Sequence, residues 1–229
     1  MAIARVSGQT PQANGAVPVT SIAVTLPQNV VADNAVMVVG KYRADAGTFT
    51  FDDNLGNTYA NDTATPNDLD NGVVLGSAKN LSTGGACTIT FTMTDAAERM
   101  GISAMEYSGF TGGAVFDQTA QATGSSTSPD SGATPTTTDA DELLIGGCSD
   151  SGAGNSYTWT SSFTLVAGST AGRHSMADRI VAATGAYNAT ATLGTSAGWR
   201  MVIATYKAAG AAAGWGGLLN SQRNQLVYA

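Results

Sequence analysis

Alternation of apolar and polar residues with a period of two runs along almost the whole chain, and it predicts strands and little else. Val19–Leu26 (VTSIAVTL), Ala35–Tyr42 (AVMVVGKY), Thr48–Asp52, Val73–Lys79, Cys87–Met93 (CTITFTM) and Met100–Tyr107 (MGISAMEY) fit that period in the first half. Leu143–Cys148, Phe163–Ala167, Ser175–Ala182, Tyr187–Leu193 and Trp199–Lys207 fit it in the second, with Gly, Asn and Asp between them. No amphipathic helix of useful length is present; Asp95–Arg99 suits one helical turn. The expected fold is all-β, an antiparallel sandwich of jelly-roll type with extended N- and C-terminal arms. Met100, Ile102 and Ala104 are expected to face inward beside Trp199, Met201 and Ile203.

A faint repeat underlies the pattern. AVMVVGKYRADAGTFTFDDNLGNTY (Ala35–Tyr59) is followed by VVLGSAK, CTITFTM and RMGISAMEYSG. ELLIGGCSDSGAGNSYTWTSSFTLV (Glu142–Val166) is followed by SMADRIVAA, YNATATL and WRMVIATYKAAG, in the same succession of strand types. Ile3–Val6 and Val19–Leu26 find no counterpart in the second half. Between the halves, residues 124–141 (GSSTSPDSGATPTTTDAD) are polar and rich in Ser and Thr, like a linker or long crossover. The favoured organisation is an arm over residues 1–18, one sandwich over 19–209 whose halves interleave across two sheets, and a second arm over 210–229. Two separate domains are the alternative.

Composition narrows the function. Charged residues are only 12% of the chain and the net charge is −7. No Lys/Arg cluster stands out in the sequence, so nucleic acid and anionic membrane are poor partners. No apolar run reaches the length of a membrane span. MAIARVSGQTPQ lacks the features of a secretory signal, which implies synthesis in a cytoplasm; the Asn-x-Thr/Ser triplets at Asn61, Asn80 and Asn188 then read as chance turns. Cys87 and Cys148 lie in apolar strand-like runs and read as buried free thiols, with a disulfide unsupported.

Catalytic inventory is thin. His174 is the only histidine, in the turn-like context AGRHSMADR, and is expected to be a solvated loop residue. No nucleophile elbow accompanies it, and one His with two distant Cys does not make a zinc site. The only glutamates are Glu98, Glu106 and Glu142, without the clustering of a glycosidase pair. Glu106 shares a face with Met100, Ile102 and Ala104, and near the strand's end it can reach water or an arginine. Asp52–Asn57 (DDNLGN) and Asn61–Gly72 (NDTATPNDLDNG) carry the oxygen donors calcium favours. A hairpin turn accounts for the first equally well, with Gly56 at positive φ and Asp53 or Asn54 bonding the local backbone. Tyr59, Tyr157 and Trp159 could stack on sugars, but a chain with 7% aromatics needs most of its rings inside. No catalytic residue, cofactor or metal ligand is assigned.

The order AVMVVGKY, TFTFDDNLGNTY, GGACTITFTM, MEYSGF, VFDQTAQATGSSTSP, ELLIGG and WRMVIATYK resembles a recurring β-sandwich family. Its members occur in tailed-phage and bacterial genomes, commonly as virion or surface-structure components. The resemblance spans roughly Ile3 to Ala208. It implies a jelly-roll-like fold and a structural or adhesive role, and it transfers no catalytic residues.

Beyond it lies AAGAAAGWGGLLNSQRNQLVYA (Ala208–Ala229), a Gly/Ala hinge followed by side chains that such a tail cannot bury alone. Trp215, Leu218, Leu219, Leu226, Val227 and Tyr228 are therefore expected at a subunit interface. The function expected is that of a phage virion structural protein, foremost a capsid decoration (cement) protein, located in the virion after synthesis in the host cytoplasm. It would act as a homo-oligomer against the major capsid protein or other virion subunits, its arms clamping neighbours. A carbohydrate-binding adhesin or a fibre or tail module is the alternative, and a polysaccharide lyase or hydrolase the third.

Overall fold

Alternating Val, Ile, Thr and aromatic positions draw the chain into strands, and a computed structural model shows no helix among the residues it describes. These are residues 2–9, 12–14, 19–43, 47–66, 71–97, 99–110, 112–169 and 173–209, with only the backbone described at 12–14, 96 and 169. The interface side chains from Trp215 to Tyr228 lie outside the described residues.

The first half contains β1 (Ala4–Arg5), β2 (Gln12–Asn14), β3 (Val19–Thr25), β4 (Ala35–Arg43), β5 (Phe49–Asp53), β6 (Ala60–Ala64), β7 (Gly72–Ala78), β8 (Thr88–Ala97) and β9 (Arg99–Ser108). The second contains β10 (Ala114–Ser126), β11 (Asp141–Asp150), β12 (Tyr157–Trp159), β13 (Thr164–Ser169), β14 (His174–Ala182), β15 (Ala191–Leu193) and β16 (Ala197–Ala208). Asp95–Arg99, expected to make a helical turn, is taken up by the ends of β8 and β9, with residue 98 outside the described residues. All described strand pairs are antiparallel, as the sequence predicts.

Strand order is β1-β9-β4-β7-β6 in one central sheet, with β2 also on β9, and β10-β16-β11-β14-β13 in the other. An outer sheet, β3-β8-β5, covers the first, and the β12-β15 pair lies outside the second. Every sheet is thus built from one half of the chain. The expected interleaving does not occur, because each half completes its hydrogen-bond ladders locally. The N-terminal arm, expected to reach a neighbour, lies on the edge of its own β9, with Ala4 opposite Ser108 and Gln12 opposite Ser103.

Three cores follow from the four layers. Val36, Val38, Phe51, Phe91, Met100, Ile102 and Ala104 fill the space between β3-β8-β5 and the first central sheet. Leu144, Phe163, Ala191, Trp199, Met201 and Ile203 fill the corresponding outer space of the second half. Between them the central sheets meet in a seam of Met37, Val39, Leu75, Met105, Ile145, Val202 and Tyr206. Met100–Ala104 and Trp199–Ile203 therefore occupy opposite outer cores and are not neighbours. The alternation was correctly read, but both faces of each central sheet are covered, so β4, β7 and β11 are buried along nearly their whole length.

Residues 124–141 are no loose linker. β10 runs to Ser126, and the chain then follows β15 and the residues before it. Leu193 N–H donates to Thr127 O, Ala191 N–H to Pro129 O, and Ser131, Thr134 and Thr137 N–H to the carbonyls of Ala189, Tyr187 and Gly185. The hydroxyl oxygens of the same three residues accept the N–H groups of Ala189, Tyr187 and Gly185. Burial recurs every third residue, at Ser131 (0%), Thr134 (3%) and Thr137 (2% exposed), the spacing of a polyproline-II turn. This segment covers the second outer core as β3 covers the first. β10 lies on β16 as β1 and β2 lie on β9. The first strands therefore do have counterparts, and the repeat embraces both halves entirely.

Candidate functional site

The residues singled out in the sequence are mostly consumed by the fold. Glu106 is fully buried, and protein N–H groups other than an arginine's meet it: it accepts from Gln9 Nε2 (2.8 Å), Val31 N (2.8 Å) and Asn34 Nδ2 (2.6 Å). It ties the N-terminal segment and the loop after β3 to the edge of β9. Asp53 is saturated within its own turn by Leu55 N, Asn57 N, Asn57 Nδ2 and Tyr59 OH, while Gly56 supplies a φ of 76°. Asn54 Oδ1 takes Thr88 N, so the hairpin reading accounts for DDNLGN. The second candidate calcium loop lies partly outside the described residues, at 67–70; among the described residues no group of three His, Cys, Asp or Glu converges.

Tyr59, Tyr157 and Trp159 are packed. Trp159 lies 5.9 Å from Phe163 and donates its indole N–H to Ser175 Oγ at 2.8 Å, and the hydroxyls of Tyr59 and Tyr157 bond to Asp53 and Asp150. Cys87 and Cys148 are free and buried, as expected. Burial, with Asp53 nearby, pushes the Cys87 thiol up to about 12, and burial raises Cys148 well above the ordinary value, so neither is a ready nucleophile.

His174 corrects the sequence reading. It is no solvated loop residue: it opens β14, is fully buried and faces the seam, with Nε2 2.9 Å from Ser103 Oγ. Its ring occupies the space a side chain would need at Gly101, where a Cβ would lie 2.5 Å from Nδ1.

The seam holds two unlike polar ends. At one, the halves clasp each other reciprocally. Tyr107 OH donates across the seam to Asp178 Oδ2 (2.7 Å), which also accepts Arg5 Nε (2.5 Å). Tyr206 OH donates back to Asp62 Oδ2 (2.7 Å), which Ser77 also bonds while Lys79 Nζ takes Oδ1 at 2.6 Å. A cleft of about 580 Å³ opens beside this end, lined by Arg5, Thr164, Asp178, Arg179 and Ile180. Its carboxylate is already shared between an arginine and a tyrosine, so it has no uncommitted acid.

At the other end the described residues bring several cations together. Strand register places Gly101, Lys41 and Val73 abreast on the first central sheet, all on the seam side, with Arg99 beside Arg43 one step further out. On the facing sheet His174, Ser149 and Arg200 stand abreast. Val39 and Gly147 mark where the layers touch, since a Cβ on Gly147 would lie 3.0 Å from Val39 Cγ1. One step along lie Lys41 and Ser149. With Arg173, half of the chain's ten lysines and arginines and its only histidine gather here. Burial first, then the charges of Arg99, Arg173 and Arg43, push the Lys41 ammonium down to about 7. Asp150, the acid that acts against this, points into the opposite core, held by Asn155 Nδ2 (2.9 Å) and Tyr157 OH.

A carboxyl pair adjoins the bulge of β10. Burial raises Glu142 to about 7, with Asp117 adding to the effect, while bonds from Thr138 hold Asp117 below its ordinary value despite burial. Lys207 Nζ lies 3.6 Å from Asp117. The sequence reading counted Glu142 only among the unclustered glutamates and passed over Asp117 and Lys41. Lys41 had a signal, a lone charge within an apolar alternation, the same signal that singled out Glu106. Asp117 had none, since the bulge between Phe116 and Thr119 that aims it is invisible in the sequence.

Among the described residues no helix is long and apolar enough to cross a membrane. No family model, curated protein or solved structure matches the chain.

Proposed function

We propose that the protein is a passive structural subunit of a phage virion, foremost a capsid decoration protein that holds neighbouring shell subunits. The observation that carries this reading is the capture of an extended segment by a sheet edge: β1 and β2 are added to β9 by main-chain pairing and locked by the Gln9–Glu106 bond. The same chemistry, offered to a neighbour's arm, holds subunits together without a dedicated pocket. β6 and β13 end their central sheets without a further described strand and are suited to such pairing. The resemblance of the motif order to the tailed-phage sandwich family supports the virion setting, and the apolar tail from Trp215 to Tyr228 supplies side chains suited to anchor it.

The four-layer body suits the role of a rigid spacer, since each half braces the other across the seam. No observation favours the adhesin reading, because the rings that would stack on sugars are packed or hydrogen-bonded. Immuno-electron microscopy of phage particles from the host, with antibody raised against the purified chain, tests the proposal. Regular labelling of the head is expected; labelling confined to tail tips places the chain in a fibre, and unlabelled particles overturn the virion reading.

A further inference from the structure

The clasps made by Tyr107 and Tyr206 occupy matching places in the two halves, yet only one of them is covered by an aromatic ring. Phe116 stands directly opposite Tyr206 on the neighbouring strand and packs edge-on against it, with ring centroids 6.1 Å apart. At the same place beside Tyr107 stands Arg5. β10 is also tied down ahead of Phe116, where Ala114 N–H donates to Lys79 O at 2.7 Å, whereas β1 is a strand of only 2 residues. The cleft of about 580 Å³ opens here, between β1 and the β13–β14 pair. Ile180 on its wall is 47% exposed, although Leu143 and Tyr206, in the same row of the sheet, are fully buried.

The lining says what fits. Ile180 and Ala4 give an apolar wall, Arg5 and Arg179 give alkyl stems and flat guanidinium groups, and Ser162 and Thr164 give hydroxyl oxygens. An indole matches that mixture, since its ring stacks on guanidinium and stem while its N–H donates to an oxygen.

The source of an indole is read from where the chain leaves the described residues. β16 ends at Ala208, and Ala209 N–H donates to Gly113 O at 2.8 Å. β14 lies two strands from β16, across β11, and Ile180 is level with Tyr206, three residues before Ala209. With about 4.8 Å between strands and about 3.3 Å per residue, the cleft opens about 14 Å from that exit. Trp215 follows Ala209 by six residues, through GAAAG, which carries no bulky side chain. Extended, that stretch spans up to about 20 Å.

We infer that the cleft is the seat of this chain's own Trp215. The ring covers the Tyr107–Asp178 clasp as Phe116 covers Tyr206, and Leu226, Val227 and Tyr228, further along the tail, are left for a neighbouring subunit. The inference concerns a single chain and does not rest on the virion reading.

A double-mutant cycle on the full chain, read as Tm, tests the seat. Trp215→Ala and Ile180→Asp are each expected to lower Tm by about 3–6 °C, and the two together by no more than either alone, since both empty the same cleft. Cys87 and Cys148 are free and buried, so thiols introduced at the surface are the reactive pair. The full chain carrying Ile180→Cys and Trp215→Cys, oxidised at low concentration, is expected to close a disulfide within one chain, seen as monomer on a non-reducing gel with no free thiol at either position. A bond only between chains would seat a neighbour's tail in the cleft and overturn the inference, as would no bond. Additive losses of Tm, or an unchanged Tm in Trp215→Ala, overturn it as well. None of these outcomes bears on the virion reading, which the labelling of particles decides.

Discussion

Buried charge in this molecule is handled residue by residue, and the two glutamates on the central sheets show how differently. Glu106 accepts three N–H groups, so its charge is fully engaged, each such bond to a charged acceptor being worth about 1.5–3 kcal/mol. Glu142 is equally buried but sits beside Asp117, and burial together with that neighbour raises it from 4.5 to about 7. A carboxyl whose folded pKa lies above its unfolded value holds its proton more tightly when folded. Its contribution to stability is therefore complete below about pH 4.5 and is lost as pH rises through 7. Lys41, lowered to about 7 from 10.5, acts in the separate window above 7, where stability rises with pH. Comparison of Glu142→Gln with wild type isolates the first effect: the variant is expected to gain in relative Tm from pH 5 to 8. Parallel pH profiles of the two proteins would show that Glu142 titrates normally. The sequence revealed that Glu106 was a charge on an apolar face but not which groups meet it, because Gln9 and Asn34 lie 97 and 72 residues away along the chain.

At the scale of elements, period two was legible wherever strands are regular and invisible where the chain pairs by another rule. β4, β7, β9, β11, β14 and β16 were all predicted close to their observed bounds because Val, Ile and Met mark their buried faces. The short β6 and β12 were missed, having few apolar positions to count. Residues 127–137 were missed for a sharper reason. Apart from Pro129, their buried positions are Ser and Thr at period three, each giving its N–H and lending its hydroxyl oxygen to the same residue across the gap. A polar segment with that period has the composition of a linker and the bonding of a strand. Ser131→Pro removes the N–H that reaches Ala189 O and the oxygen that takes Ala189 N–H, and it is expected to lower stability by about 3 kcal/mol or more in urea unfolding. Thr136→Ala, at an exposed position between two buried ones, is expected to change it by less than about 0.5 kcal/mol. Equal midpoints for the two variants would return the segment to the status of a linker.

For the molecule as a whole, the question left open by the repeat was one domain or two, and the seam supplies the physical answer. Each half has its own outer core, which argues for independence, yet the inner faces of both central sheets have an apolar middle that each covers for the other. Separating the halves would expose Met37, Leu75, Met105, Ile145, Val202 and Tyr206 together, each such side chain costing about 1.5–3 kcal/mol in water. It would also break both tyrosine–aspartate clasps. The halves are therefore expected to unfold together. Gly147 offers a way to test this without touching either outer core, because a Cβ added there would point into the seam, 3.0 Å from Val39 Cγ1 and 3.1 Å from Val202 Cγ2. Gly147→Val wedges the sheets apart and is expected to lower stability by about 1–3 kcal/mol through overpacking. In scanning calorimetry the wild type is expected to give one transition whose van't Hoff and calorimetric enthalpies agree, and the variant one transition at lower temperature. Two resolved transitions in the wild type would mean that the outer cores suffice and that the seam is an ordinary interdomain contact. Two transitions appearing only in Gly147→Val would mean that seam packing alone is what makes two repeats behave as one body.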